Sequence, residues 1–365
     1  MLDEHPVSIQ VNGEWQTFPN VKAAEKASYE EYKANLRRTA ENFRITDDHL
    51  GEGGPKAKFQ ANVEAIKLLK YLEETTGQAT PEQQQVLSRY VGWGGLADAF
   101  DPDKESWSKE YAQLKELLTP EEYAAARGST LNAHYTSPTV IKAIYEAVGR
   151  MGFETGNILE PSCGVGNFFG MLPEEMRNSR LYGVELDSIS GRIAQQLYPK
   201  ADITVAGFET TDRRDFYDLA IGNVPFGQYQ VRDKAYDKLN FSIHNYFFAK
   251  ALDQVRPGGV VAFVTSRYTM DAKDSTVRRY LAQRAELLGA IRLPNNAFKP
   301  MPGPRLYRTS SSSKSEIARW TLYRSGRRPG RPRTAFPSTA ISWTTRKWCW
   351  ADRNRKAPLT AWTTP

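Results

Sequence analysis

Leu219–Tyr229, LAIGNVPFGQY, ends an apolar run in an amide, a proline, an aromatic ring and a glycine. Burial accounts for the run and a turn accounts for Pro225 and Gly227, but neither accounts for Asn223. The side-chain carbonyl of Asn223 can accept a hydrogen bond from an exocyclic amine, and the backbone carbonyl of Pro225 can accept a second. Two such acceptors would aim the nitrogen lone pair at an electrophilic methyl group, since an aromatic amine is otherwise a poor nucleophile. Phe226 would offer a face on which a flipped base stacks.

A second group lies upstream, in LEPSCGVGNF (Leu159–Phe168). Gly164 and Gly166 allow a tight strand-to-helix turn and close backbone approach to a ligand. Such a turn alone fits a nucleotide site or an ordinary bend equally well. About 20 residues on, YGVELD ends in Glu185 and Asp187, where an acid can accept hydrogen bonds from both hydroxyls of a ribose. Glu160 sits at the turn itself, and a carboxylate there repels a pyrophosphate but suits a cation. The combination disfavours a dinucleotide and favours S-adenosyl-L-methionine, with its ammonium and positive sulfur.

These residues need strands to carry them. From about Asn132 the chain alternates NILEPS, LYGVEL, DITVAG, DLAIGN, GGVVAFVTS and LLGAIRLP with helical segments, which predicts an α/β, mostly parallel, doubly wound sheet. In such sheets ligands bind beyond the carboxyl ends of the strands, where Glu160, Glu185 and Asn223 fall. In SIHNYFFAKALDQVRPGG, Ile243, Phe247, Ala251 and Val255 share a helical face that Pro257-Gly258-Gly259 terminates. Residues 1–130 read as an all-α extension: a helix over 20–45, a second ending at Gly77, and a third opening with Thr80 before Pro81. The domain expectation is therefore 1–130 helical, 131–299 α/β, and 300–365 a separate tail.

Composition narrows the setting. No run of about 18 apolar residues exists, so no membrane span is expected. Two cysteines exclude a disulfide framework and a cysteine-rich zinc site, and predict a reducing, cytoplasmic setting. No metal ligand set is assigned. The formal net charge of +7 is concentrated in Pro300–Pro365, where 14 Lys and Arg face two acids. The remaining chain is slightly acidic.

The motif set resembles the DNA amino-methyltransferases, specifically N6-adenine enzymes whose cofactor motif precedes the catalytic one. Their Asn/Asp-Pro-Pro-Tyr/Phe signature reads Asn223-Val224-Pro225-Phe226 here, with Val in the second place. The resemblance implies that Asn223, Pro225 and Phe226 orient a flipped adenine in DNA. It implies that Tyr135, Thr136, Glu160, Pro161, Ser162, Gly164, Gly166, Glu185 and Phe208 border S-adenosyl-L-methionine. In the family an acid usually precedes Phe208, whereas this chain has Ala206-Gly207. YVGWGGLADAF, NVPFGQY and HNYFFAKALDQVRPGGVVAFVTSRYTMD are similar to large phage and mobile-element proteins that join this domain to a Swi/Snf-type helicase. That similarity covers roughly residues 40 to 299 and implies a downstream helicase and target-recognition region. His244 and Trp93 read as packing residues.

The tail has two readings. It holds five of the eight tryptophans, with the runs RTSSSSKS and RRPGRPR. A basic arm for nucleic acid fits the charge but not the tryptophans. Alternatively, one nucleotide lost after Lys299 would turn ANAGTEVIPDIIFLQKR into the observed Pro300–Glu316, given permissible codons. The same offset turns Thr339–Ala351 into NSYFVDHPEMVLG. On this reading an antiparallel strand between GGVVAFVTS and LLGAIRLP is lost and an apolar edge stands open. Rival functions are methyl transfer to RNA or to a protein glutamine, and a non-catalytic DNA-docking module.

Overall fold

A computed structural model describes residues 5–47, 51–75, 77–130, 136–293 and 318–325. The chain opens with a hairpin of β1 (Val7–Val11) and β2 (Glu14–Phe18), paired antiparallel. Asn12 and Gly13 turn it, with φ of 53° and 81°. This corrects the all-α expectation for the first 130 residues. Asn-Gly between two strand-compatible segments is a strong hairpin signal, because both turn positions require positive φ.

Helices follow: α1 (Val21–Thr39), α2 (Pro55–Glu74), α3 (Pro81–Leu87), α4 (Ser108–Leu117) and α5 (Pro120–Ser129). Helix α3 starts where Thr80-Pro81 predicted. The Gln83 amide donates to Thr80 Oγ1 at 3.3 Å, and the Thr80 amide donates to Gln83 Oε1 at 2.9 Å. That reciprocal pair satisfies two amides that the first turn leaves without helical partners. Trp93 is fully buried, with edge contacts to Phe100, Phe59 and Tyr90 at 5.3, 6.2 and 6.3 Å between ring centroids. It is a packing residue. The helical part shares one continuous core with a face of the sheet, from Phe59 and Trp93 through Ile141 and Ile193 to Ile158 and Ile221.

Beyond α6 (Pro138–Arg150) the elements are β3 (Asn157–Glu160), α7 (Asn167–Gly170), β4 (Arg180–Glu185), α8 (Ser188–Leu197) and β5 (Asp202–Val205). Then come β6 (Tyr217–Asn223), α9 (Ile243–Gln254), β7 (Val255–Ser266), α10 (Tyr268–Asp271), α11 (Thr276–Ala282), β8 (Ala285–Arg292) and β9 (Ala318–Ser325). They form a seven-stranded sheet in the order β5-β4-β3-β6-β7-β9-β8. The pairs from β5 through β7 are parallel, and β9 runs antiparallel to both β7 and β8. All six predicted strands are present, so the α/β class holds. Ile158 and Leu159 point into opposite clusters, as do Leu219 and Ala220. Burial on both faces is what makes β6 read as a continuous apolar run.

The expected open slot beside β7 is not observed. Ala318–Ser325 pairs with β7 from Val260↔Arg324 to Ser266↔Ala318 and with β8 on its other side. An unpaired apolar strand beside β7 is costly, and this backbone covers it. Thr309–Glu316, which the alternative frame would make that strand, lies outside the described residues, as does the tail beyond 325. Among the described residues no helix is long and apolar enough to cross a membrane.

Successive connections carry the chain from β3 through β4 to β5 on one side, then back past β3 to β6 and β7 on the other. In sheets of this kind a ligand crevice is expected at such a reversal, here at the carboxyl ends of β3 and β6. Glu160 and Asn223 are the last residues of those two strands.

Candidate functional site

On the β3 side, Glu160 is 3% exposed. Its Oε2 has no hydrogen-bond partner among the described residues. Burial, and then the negative charge of Glu185, push its pKa well above the ordinary carboxylate range. Gly222, at φ +149°, lies beside it: a Cβ there would come 3.2 Å from Glu160 Cγ. The glycine leaves room for the carboxyl. Ser162 Oγ donates to the Asn223 carbonyl at 3.1 Å, tying the turn after β3 to the end of β6.

The glycine turn is held by backbone bonds. The Cys163 amide donates to the Val184 carbonyl at 3.0 Å, and the Gly164 amide to Glu185 Oε2 at 2.7 Å. Gly164 and Gly166 have φ of +55° and +82°, so both occupy left-handed backbone. Their surroundings differ. A Cβ at Gly166 would collide with the Tyr198 ring, whereas nothing lies within 4 Å of a Cβ at Gly164. Gly166 serves packing, and Gly164 faces open space.

Glu185 accepts from the Asp187 amide through Oε1 at 2.8 Å as well as from Gly164. Burial pushes its pKa up to about 7, against backbone hydrogen bonds from Asp187, Gly164 and Leu186. Asp187, the other acid of the motif, caps α8: its Oδ2 accepts from the Ser190 amide at 2.8 Å and from Ser190 Oγ at 2.5 Å. Sequence reading passed over Leu186, which is 76% exposed between the two acids. An apolar residue between two acids was the available signal.

On the β6 side, Asn223 pairs with Val264 of β7, and the Val224 amide continues the ladder to the Val264 carbonyl at 3.2 Å. Val224 is 1% exposed in the core shared with α9. This explains the departure from a second proline, which would lack that N–H. The Phe226 ring is 7% exposed and belongs to the main core. Phe208 is likewise a core residue, 3% exposed, with Phe247 at 4.9 Å between centroids. His244 is buried. Its ring lies 3.0 Å (Nε2) from Ser242 Oγ and hydrogen-bonds the Gly227 backbone, and burial lowers its pKa to about 4.

The expected residues thus divide. Glu160, Ser162, Gly164, Glu185 and Asn223 converge on the crevice. Pro161 is buried between two of them, and Thr136 is 5% exposed just before α6. Gly166, Phe208 and Phe226 support the crevice through packing. Tyr135 lies outside the described residues.

No family model matches the chain. Among curated proteins it is similar to Defense against restriction protein B of Escherichia phage P1, 28% identical over 255 residues, covering 68% of this chain and 10% of the relative. It is also similar to the type II methyltransferase M.CvrRI of Paramecium bursaria Chlorella virus XZ-6E, 38% identical over 92 residues, or 25% of this chain and 24% of that protein. The chain therefore spans about a tenth and about a quarter of the two relatives. Among solved structures, one assigned to the class I S-adenosylmethionine-dependent methyltransferases of Listeria monocytogenes is 15% identical at a TM-score of 0.45, covering 79% of this chain and 91% of that one. A modification subunit assigned to a type I restriction enzyme of Vibrio vulnificus is 16% identical at 0.41, covering 67% and 53%.

Proposed function

We propose that this chain carries the methyl-transferring site of a DNA methyltransferase that uses S-adenosyl-L-methionine and acts on the N6 amine of adenine. The observation that carries the reading is the crevice itself. A buried carboxyl with a partnerless oxygen stands at the end of β3, and an asparagine tied to the same turn by Ser162 stands at the end of β6. The first can face a cation, whose charge would favour its ionised form, and the second supplies an acceptor for an amine.

The residues present fit the cofactor. Glu160 would face its positive charge, Gly164 would give its backbone close approach, Glu185 would take the ribose, and Leu186 would cover an apolar ring face. Bound there, the cofactor supplies an electrophilic methyl group. The protein's own part is to hold the amine with Asn223 and the Pro225 carbonyl, fix its lone pair in direction, and exclude water. The proton that the methylated amine must lose would pass to solvent, and no residue is assigned as a base. The names of the two curated relatives, one a type II methyltransferase and one a defence against restriction, support DNA as substrate.

The test is methyl transfer from a radiolabelled donor to duplex DNA, ribosomal RNA and protein, followed by nucleoside analysis. Label in N6-methyladenine of DNA is expected. Label confined to RNA or to glutamine would transfer the assignment to the rival substrates, and cofactor binding without any transfer would favour a docking module.

A further inference from the structure

The loop between β6 and α9 follows directly on Asn223, and residues 233–240 form their own turn, in which the Tyr236 and Asp237 amides both donate to the Asp233 carbonyl at 2.8 Å. The Ile243 amide donates to the Tyr229 carbonyl at 2.9 Å, and Gln230 Nε2 to the Asn240 carbonyl at 3.2 Å. Its middle is fixed by a side chain from α9. Lys250 is 3% exposed, and its Nζ donates to Asp233 Oδ2 at 2.7 Å and to the Glu209 carbonyl at 3.0 Å. Tyr246 Oη donates to the same carboxylate oxygen at 2.8 Å. The Phe208, Tyr236 and Tyr246 rings surround the ammonium at 5.3 to 5.9 Å.

One ammonium therefore joins two segments that follow different strands. Asp233 belongs to the loop after Asn223, and Glu209 to the short turn after β5. Burial acts to raise the Asp233 pKa, but the Lys250 and Tyr246 hydrogen bonds prevail and hold it below its ordinary value. A buried ion pair is a poor way to gain stability, because a well-packed apolar pair of the same volume does as well or better. What it supplies is a unique geometry. Turning Asp233 inward also leaves its neighbours Arg232 and Lys234 exposed, on a loop that must meet a polyanion if the substrate is DNA.

We propose that Lys250 is a positioning residue: through Asp233 and the Glu209 carbonyl it locks the target-side loop to the turn after β5, and so holds Asn223 and Pro225 in register with the cofactor. The inference rests on the functional reading above, and its test is built to be read separately. Amide exchange is followed in the full chain, in Lys250→Met, and in the double variant Lys250→Met/Asp233→Asn, which leaves no buried charge unpaired.

In the double variant the amides of residues 228–241 should exchange about tenfold faster, while β3, β6 and β7 keep their protection. Sinefungin affinity should stay within about threefold of wild type, and kcat for methyl transfer should fall about tenfold at an unchanged cofactor KM. Wild-type exchange in the loop, or protection lost equally from every strand, overturns the proposal. If the unaltered chain binds no sinefungin, the functional reading fails, and the exchange pattern still decides whether Lys250 is the lock.

Discussion

The two sides of the crevice are built by different means. On the β3–β4 side, main-chain amides do the holding: Cys163 to Val184, Gly164 and Asp187 to Glu185. All of these groups lie within one strand–turn–helix–strand unit. On the β6–β7 side, side chains of α9 hold the loop, with His244 on Gly227 and Lys250 on Asp233. A site half wired through its backbone and half through a distant helix should fail in two distinct ways. Substitutions on the first side should cost cofactor binding or local fold, and those on the second should cost chemistry.

The largest effect is expected at Asn223. Asn223→Ala should lower methyl transfer by about 10²–10³-fold and leave sinefungin affinity within about threefold. Equal losses in both assays would erase the division between the two sides.

The paired glycines sharpen it next. Gly166→Ala forces left-handed backbone and a collision with Tyr198, and should cost about 2–4 kcal/mol in thermal unfolding. Gly164→Ala meets no protein atom and should cost only the strain, about 1–2 kcal/mol, with a disproportionate loss of cofactor affinity. Identical stability losses in the two variants would show that Gly164 does not face a ligand.

Glu160→Gln separates binding from stability. It should weaken sinefungin binding by about tenfold or more, yet not destabilise the free protein. The folded-state pKa of Glu160 is raised above 4.5, so its favourable contribution is present below that pH and lost as pH rises. The Gln variant should therefore gain stability relative to wild type above pH 4.5, measured by urea unfolding across pH. A gap that widens in the other direction would mean that Glu160 has a cationic partner in the free protein.

The smallest effect concerns His244. Its folded pKa of about 4 lies below the ordinary 6.5, so the unfolded chain takes up the proton first. Its stability contribution is present above pH 6.5 and lost as pH falls towards 4. His244→Gln should remove that acid-side loss while leaving the pH dependence above 7 unchanged.

The same contrast explains what the sequence disclosed. The cofactor side was legible because its parts are local: the strand ends, the glycines and Glu185 follow in order along LEPSCGVGNF and YGVELD. Even there Asp187 misled, since a carboxylate before Ser-Ile-Ser serves equally as a helix cap. The target side was half legible. Asn223 stood out as an amide that burial did not explain, whereas nothing in the sequence signalled that Phe226 and Phe208 are buried in the core. Lys250 carried no signal in the sequence, and only the fold shows that α9 is buried nearly all round. The hairpin at Asn12-Gly13 was legible and overlooked. The strand Ala318–Ser325 was not anticipated; it pairs with β7 on one side and β8 on the other.

The most direct measurement is calorimetric titration of the full chain with sinefungin, run beside Glu160→Gln and with NADH as the competing ligand class. The account predicts binding to the unaltered chain, affinity reduced about tenfold or more in Glu160→Gln, and no heat with NADH. Binding of NADH, or sinefungin affinity that ignores the loss of the Glu160 charge, would contradict it.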